Sequence, residues 1–595
     1  MATDSYLRRL LSERGWILAT TAAVAVLYVF TARTLPTNVF WGTDEGGKYL
    51  MTAGWKYDGG LRYEIPYGGI ENDPALDFFP DGSLFPSRDD DGQMILPWQP
   101  WFSLVSSVPL RLFGPAGLYI LPIVCGILVA LLAGLMAGRQ SRATAPPLVL
   151  VVGLCSPMMF YSFLFWEHVP AVCCALAGTY LLLPLVRIEG PPVERRRTRT
   201  FTGFLMLMAA LALRHEMAIY MVSMLVAMVV AIQMKLITLR RPGKRGRTWV
   251  SRGGLVLPAV IAAAVLCASI VVYHAVKSPS YGPLVLTAFQ SLVRVGRYQA
   301  FAEHIGQVLM NNQVKYGIDI PDRLIYLGLA GLVLCLASRL VRRDIRWALW
   351  LTGAGAVATT SLYVPLYAPA SRCFHSFVLP APWMVLALLP AADPDNNRPR
   401  PLALLTGIYV GVFVLVSFLV DRSHGAGEWG TRFLLLGYPL VGIEAAARVG
   451  EMLASRRHAI QRYGLVAIAV FLVSIAWWFS LRGTREMQGS KCGLDIIRRE
   501  LEAAPGPVIT DQYWIAAGLS PTFASQPIYM ISPDHDFQTW LEQIGRKSRS
   551  FVWLSTQGLP CAGTEPWAEG LVYRRRTSIN SLVLLTYTTG KGGSE

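Results

Sequence analysis

The chain has 595 residues, 53% hydrophobic and 15% charged, a balance that excludes an ordinary soluble enzyme and belongs to a polytopic membrane protein. Its formal net charge of +16 does not mark a nucleic-acid binder. The basic residues fall in short runs between apolar spans, Arg195-Arg196-Arg197 and Arg240-Arg241 with Lys244-Arg245 among them, which is the distribution of cytoplasmic loops.

In chain order, Arg8, Arg9 and Arg14 place the N-terminus in the cytoplasm, and 16–33 reads as a first anchor, not a cleavable signal. Just past it, Trp41-Gly-Thr-Asp-Glu-Gly-Gly-Lys-Tyr-Leu50 sets Asp44 and Glu45 where membrane meets water. Two readings stand side by side. Thr43, Asp44 or Glu45 caps a following helix, or the carboxylates do chemistry on a lipid-linked substrate. The outer loop 35–114 is too long for a connector, and within it 48–57 and 98–113 predict interfacial helices, with Trp98 and Trp101 at headgroup level.

Further spans are predicted at 118–136, 147–165, 171–186, 201–213, 217–234, 254–274, 324–340, 347–365, 377–390, 402–420, 433–449 and 465–481, about thirteen in all at roughly twenty residues each. An odd number starting inside ends outside. From Arg482 the composition becomes that of a soluble domain. A helix at 494–504 and strands at 507–510, 527–532, 550–555 and 581–587 predict a small α/β fold. The expected organisation is therefore a membrane module at 1–481 and an extracytoplasmic domain at 482–595.

Six of the nine Cys lie in apolar spans as ordinary packing, Cys373 lies in a short turn, and Cys492 and Cys561 lie in the tail as a candidate disulfide. No CxxC spacing occurs. With the topology assigned, ionisable residues near span ends collect outside: Asp44 and Glu45; Glu167 and His168; Arg214, His215 and Glu216; Arg372 and His375; Arg422, His424, Glu428 and Arg432. Each alone reads as an interfacial residue reaching water, but five clusters on one side point to a shared cavity. Arg214, Arg372 and Arg432 are candidates for a phosphate, since fixed cations stabilise charge growing on a leaving group. Asp44 or Glu45 is the candidate base. A metal on Glu167-His168 and His215-Glu216 ranks low, because no HExxH or comparable spacing supports it. Calcium at Asp89 to Asp91 ranks below a solvated turn.

These residues resemble the type C glycosyltransferase superfamily, polytopic enzymes that use polyprenyl-phosphate sugars. The likeness rests on Thr43-Asp-Glu-Gly46, the two interfacial helices, Leu112-Phe-Gly114, Trp166-Glu-His168, Arg214-His-Glu216 and Gly427-Glu-Trp-Gly-Thr-Arg-Phe-Leu434. The resemblance implies an inverting transfer of one sugar from a polyprenyl-phosphate donor to a lipid, glycan or protein acceptor outside the cell. It assigns Asp44 as base with Glu45 as competitor, and Arg432, Arg214 and Lys48 as donor-phosphate groups. Glu167, His168, Glu216 and His424 become acceptor or orienting groups. No cofactor is expected, since most relatives with monosaccharide donors need no metal. The expected location is a bacterial plasma membrane, with no Asn-x-Ser/Thr acceptor site in the outer loops. A transporter or lipid flippase would need polar groups at the bilayer midplane and often two related halves. An inactive scaffold of the same fold is the third reading.

Overall fold

The fold is described from a computed structural model, which describes residues 2–56, 62–80, 87–88, 94–96, 98–183, 193–233, 308–309, 322–341, 345–367, 376–390, 400–420, 430–455, 459–504, 506–523, 525–531, 537–548, 550–555, 571–579 and 582–589. Its helices are α1 (Ala2–Arg33), α2 (Thr43–Gly54), α3 (Pro100–Phe113), α4 (Ile120–Gly138), α5 (Ala145–Leu154), α6 (Met158–Ser162), α7 (His168–Leu182), α8 (Val193–Leu213) and α9 (Met217–Gln233). After these come α10 (Asp322–Ala337), α11 (Arg346–Tyr367), α12 (Pro401–Val420), α13 (Gly437–Ala454), α14 (Ala459–Ala503), α15 (Tyr513–Gly518) and α16 (Phe537–Gln543).

Among the described residues three stretches are long and apolar enough to cross a membrane: Arg14–Arg33, Pro100–Gly138 and Gln461–Ala503. Shorter apolar helices include His168–Leu182, Met217–Ala231 and Pro401–Val416. The span predicted at 254–274 lies outside the described residues.

Contacts divide the chain into two compact units. One, here the helical unit, comprises Met1–Val29, Ile123–Ser162 and Glu167–Thr484, and the other, the mixed unit, comprises Phe30–Pro122, Phe163–Trp166 and Arg485–Glu595.

In the helical unit α7 packs on α8, α9 on α12, α10 on α11, and α13 on α5 and α12. Two predicted spans take another form here. The one at 147–165 breaks after α5, where Pro157 brings no N–H and the Ser156 hydroxyl takes the Met158 N–H while donating to the Val152 carbonyl at 2.7 Å. The one at 377–390 is a short 3-10 helix, Pro382–Leu388, because Pro380, Pro382 and Pro390 each remove an N–H from the ladder. It is buried, with the Trp383 indole donating to Cys155 O at 2.7 Å and the Trp350 indole to Val385 O at 3.2 Å.

The mixed unit is built on a five-stranded sheet of β5 (Val508–Thr510), β6 (Ile528–Met530), β7 (Ser550–Ser555), β8 (Leu571–Ile579) and β9 (Leu582–Thr589), in the order β6-β5-β7-β9-β8. The β5 strand pairs parallel with β6 and β7, and the β7-β9 and β9-β8 pairs are antiparallel. Four two-residue strands, β1 (Trp55–Lys56), β2 (Arg62–Tyr63), β3 (Ser87–Arg88) and β4 (Met94–Ile95), form two small antiparallel pairs in the first loop. Loop residues hydrogen-bond to the sheet region: Phe40 N–H to Gly518 O at 2.9 Å, Gly68 N–H to Phe523 O at 3.0 Å, and Met530 N–H to Phe78 O at 2.9 Å. Val39, Leu50, Met51, Tyr67, Phe78 and Phe79 share one buried core with Leu494, Ile515, Phe523, Tyr529, Trp540 and Phe551. The first loop and the C-terminal segment therefore solve the same burial problem together, although the change of composition at Arg482 separates them in sequence. That change also leaves the backbone helical. Arg, Glu and Lys are good helix formers, so α14 continues for 45 residues to Ala503.

Candidate functional site

In the mixed unit the polar chemistry is carried by α2. Its cap position is Gly42, in extended backbone at φ −127°, and no side chain caps from there. Thr43 is therefore the first helical residue and not the cap. Capping is done from the third helical position: the Glu45 carboxylate reaches back and accepts the Trp41 N–H at 2.8 Å and the Gly42 N–H at 3.1 Å through Oε2. Its other oxygen accepts the Phe165 N–H at 2.7 Å. Glu45 is wholly buried, and burial pushes its carboxyl up, while the Lys491 ammonium and the three backbone N–H groups pull it down.

Asp44, one residue earlier and about 100° around the helix, is half-buried. It shares a face with Lys48, four positions on. Lys48 is buried, and its ammonium lies 5.9 Å from the Trp98 ring and 5.8 Å from the Trp166 ring, within cation–π range of both. Trp98 and Trp166 thus wall a cation that sequence alone places at the start of an interfacial helix.

The helix is seated by two glycines. A Cβ on Gly46 would stand 2.2 Å from the Ala517 carbonyl oxygen and 2.5 Å from Ser520 Oγ, and one on Gly47 would stand 2.0 Å from the Trp98 ring. Gly46→Ala is accordingly expected to push α2 off α15 and cost about 1–3 kcal/mol. The check is a thermal unfolding scan of the purified full chain, and an unchanged midpoint would contradict this close approach.

Lys491 completes the group. It is wholly buried on α14, donates to the Tyr119 hydroxyl at 2.8 Å and sits 4.3 Å from the centre of that ring. Sequence reasoning missed it. The available signal was a lone Lys with Cys492 and Gly493 in a stretch read as the start of a soluble domain.

The helical unit carries a second polar cluster. Arg214, in the turn between α8 and α9, donates from Nη1 to Glu167 Oε1 at 2.5 Å, from Nε to Glu216 Oε2 at 3.1 Å and from Nη2 to Glu216 Oε1 at 2.5 Å. Its Nη1 also lies 3.1 Å from His168 Nδ1. All three guanidinium nitrogens are thus engaged, two of them in a bidentate clasp on Glu216. Burial raises the Glu216 carboxyl, but the charges of Arg214 and His215 and the Arg214 hydrogen bonds outweigh it and hold the group down at about 2.

The Arg214 guanidinium also lies 5.5 Å from the Phe433 ring, and Arg432 lies 4.9 Å from the same ring, close enough for its charge to act on Arg214. Arg432 opens a short 3-10 turn after Gly430, whose φ of +78° suits glycine and whose Cβ would meet Pro157 at 2.6 Å. Tyr161 steadies that turn, donating to Gly430 O at 3.0 Å while stacking on His168 at 6.0 Å. The cluster is therefore organised by Arg214, with Arg432 beside it on a braced loop.

The predicted residues thus fall into two groups. Asp44, Glu45 and Lys48 lie together in the mixed unit, and Glu167, His168, Arg214, Glu216 and Arg432 lie together in the helical unit. Arg372, His375, Arg422, His424, Glu428, Asp89 to Asp91 and Cys561 lie outside the described residues. Cys492 is an exposed thiol. Among the described residues, no three His, Cys, Asp or Glu side chains are grouped to hold a metal ion.

No protein-family model matches the sequence, and no curated protein matches it. Solved structures similar to this chain include ArnT from Cupriavidus metallidurans bound to undecaprenyl phosphate, with a TM-score of 0.46 and 12% identity, covering 98% of this chain and 99% of that one. Another is the Archaeoglobus fulgidus oligosaccharyltransferase in its apo form, with a TM-score of 0.44 and 11% identity, covering 90% of this chain and 69% of that one. The archaeal oligosaccharyltransferase AglB from Archaeoglobus fulgidus, in complex with an inhibitory peptide and a dolichol-phosphate, gives a TM-score of 0.40 at 12% identity, covering 90% of this chain and 69% of that one.

Proposed function

We propose that this chain is an integral-membrane glycosyltransferase of the type C superfamily, moving one sugar from a polyprenyl-phosphate donor to an acceptor on the extracytoplasmic side with inversion. The supporting observation is the division of labour on α2, where Glu45 is buried and committed to three backbone N–H groups while its neighbour Asp44 is half-buried on the Lys48 face. A fold that sequesters one acid of an adjacent pair and leaves the other within reach of water has a carboxylate able to take a proton.

In this reading Asp44 accepts the proton of the acceptor's nucleophile as that atom bonds to the sugar's anomeric carbon. The bond from that carbon to the phosphate oxygen breaks, and its electron pair leaves with the polyprenyl phosphate. Arg432 stabilises the charge growing there. Lys48, walled by two indoles, adds a positive charge on the Asp44 face, and Arg214 serves as the organiser of Glu167, His168 and Glu216. Those three orient the acceptor, together with His424. The protein resides in a bacterial inner membrane, with its N-terminus cytoplasmic and residues 482–595 extracytoplasmic.

The test is the purified full chain in lipid nanodiscs, given radiolabelled sugars on undecaprenyl or dolichyl phosphate and a panel of lipid, glycan and peptide acceptors. Sugar on an acceptor with release of the polyprenyl phosphate supports the reading. Donor binding without turnover across the panel contradicts catalysis and leaves a scaffold, and counter-ion-dependent uptake into proteoliposomes without transfer identifies a transporter.

A further inference from the structure

We propose that Glu45, gripping the Trp41, Gly42 and Phe165 backbone, holds the first turn of α2 with the buried Lys491 as its counter-charge, so that Glu45 is a positioning residue for Asp44 and Lys48 and not a second base. The proposal rests on the transferase reading and assigns roles within it.

Three observations carry it. Glu45 has spent most of its acceptor capacity on backbone: Trp41 and Gly42 on one oxygen at 2.8 and 3.1 Å, Phe165 on the other at 2.7 Å. An acid held this way has little left with which to receive a substrate proton. The segment it grips also matters. Phe165 precedes Trp166, whose ring lies 5.8 Å from the Lys48 ammonium and 3.2 Å from where a Cβ on Gly42 would stand. One carboxylate therefore fixes both the start of the helix bearing Asp44 and the indole walling Lys48. Phe165 is itself wedged between Phe40 at 6.4 Å and Phe102 at 4.9 Å, so the grip is on a rigid element.

The third observation is charge. A carboxylate and an ammonium each taken fully out of water are costly unless compensated. Glu45 and Lys491 are both wholly buried in the same unit and act on each other electrostatically. Lys491 is oriented by Tyr119, whose hydroxyl oxygen accepts a hydrogen bond from it at 2.8 Å and whose ring face lies 4.3 Å away. Each charge favours the ionised form of the other, although burial is the larger effect on both groups, and the turn carrying Asp44 holds the carboxylate end.

The experiment uses the full chain in nanodiscs with a polyprenyl-phosphate sugar and compares Glu45→Gln, Lys491→Met, Lys491→Arg and the double variant Glu45→Gln/Lys491→Met. Steady-state turnover, donor KM, the pH profile and the unfolding midpoint are measured for each. Misplacing a reacting group by about 1 Å costs on the order of a hundredfold, so Glu45→Gln and Lys491→Met are expected to lose about 10- to 100-fold in kcat with donor KM within about twofold. Lys491→Arg restores most of the rate. The neutral double variant unfolds at a higher temperature than Lys491→Met, because it no longer buries an uncompensated carboxylate. Residual activity of Glu45→Gln keeps the acidic limb of the wild-type pH profile, since the proposed base, Asp44, is unchanged.

Loss of that limb in Glu45→Gln would make Glu45 the base and overturn the proposal. So would wild-type kcat in both single variants, or a double variant whose effects simply add. A wild-type chain that transfers nothing is a different result: it overturns the transferase reading, and the positioning role with it, whatever the unfolding midpoints show.

Discussion

Asp44→Asn in the full chain is expected to lower kcat for sugar transfer by about 10²–10⁴-fold, the usual contribution of a positioned base. A proton acceptor acts only as the nucleophile attacks, so kcat and kcat/KM should fall together while donor binding is unchanged. Asparagine has nearly the same shape and α2 keeps its Glu45 cap, so the fold is retained. The cost to the helix is the loss of one favourable charge in its first turn, about 0.3–1 kcal/mol, too little to unfold the unit. Circular dichroism and an unfolding midpoint near wild type would separate this loss of chemistry from a loss of structure. Full turnover in Asp44→Asn would remove the carboxylate from the mechanism. A second substitution, Gly430→Ala, tests the Arg432 loop independently. A Cβ there meets Pro157 at 2.6 Å on a backbone that disfavours any side chain, so donor binding should weaken without a change in the acidic limb of the pH profile.

What could be read in the sequence was mostly local. The helix α2, the helix α3 and the strands β5, β6, β7 and β9 all announce themselves by periodicity and by the Gly and Pro that bound them. The strand β8 is not among the predicted strands, because Tyr573-Arg-Arg-Arg576 breaks the apolar alternation that marks one, whereas pairing with β9 makes it an edge strand, where charge is tolerated. The site shows the same division. That acids gather after the first span is visible in sequence, but which of Asp44 and Glu45 turns inward is not. Phe165, Lys491 and Tyr119 decide it, and all three are distant in the chain. Arg214 is similar. Its neighbours His215 and Glu216 are in view, but its bond to Glu167 depends on the packing of α7 against α8. Read alone, Arg214 is a spare cation for a phosphate. With Glu167 and Glu216 on its nitrogens, its charge is already spent.

Arg214→Met is therefore expected to destabilise the helical unit by about 3–5 kcal/mol, the cost of breaking a buried ion pair from one side. The side chains of Arg214, Glu167 and Glu216 are only 11%, 8% and 22% exposed, so water replaces the lost partner only in part. The triple variant Arg214→Met/Glu167→Gln/Glu216→Gln should be milder than the single one, because it removes the stranded charges along with the cation. The pH dependence gives an independent reading. Glu216 in the folded chain is held at about 2, below the ordinary carboxylate value of 4.5, so the unfolded chain binds more protons between these limits. Its stabilising contribution is thus present above about pH 4.5 and is lost as pH falls toward 2. Glu45, whose carboxyl is pushed up, has the opposite sign: its contribution is full at low pH and is lost as pH rises through its folded value. Unfolding midpoints of wild type and Arg214→Met between pH 3 and pH 7 should therefore converge toward the acid end, where the clasp on Glu216 is already failing. If Arg214→Met is instead as stable as wild type at neutral pH and only raises donor KM, then Arg214 grips the donor phosphate and its carboxylate clasp is the resting arrangement that the donor displaces.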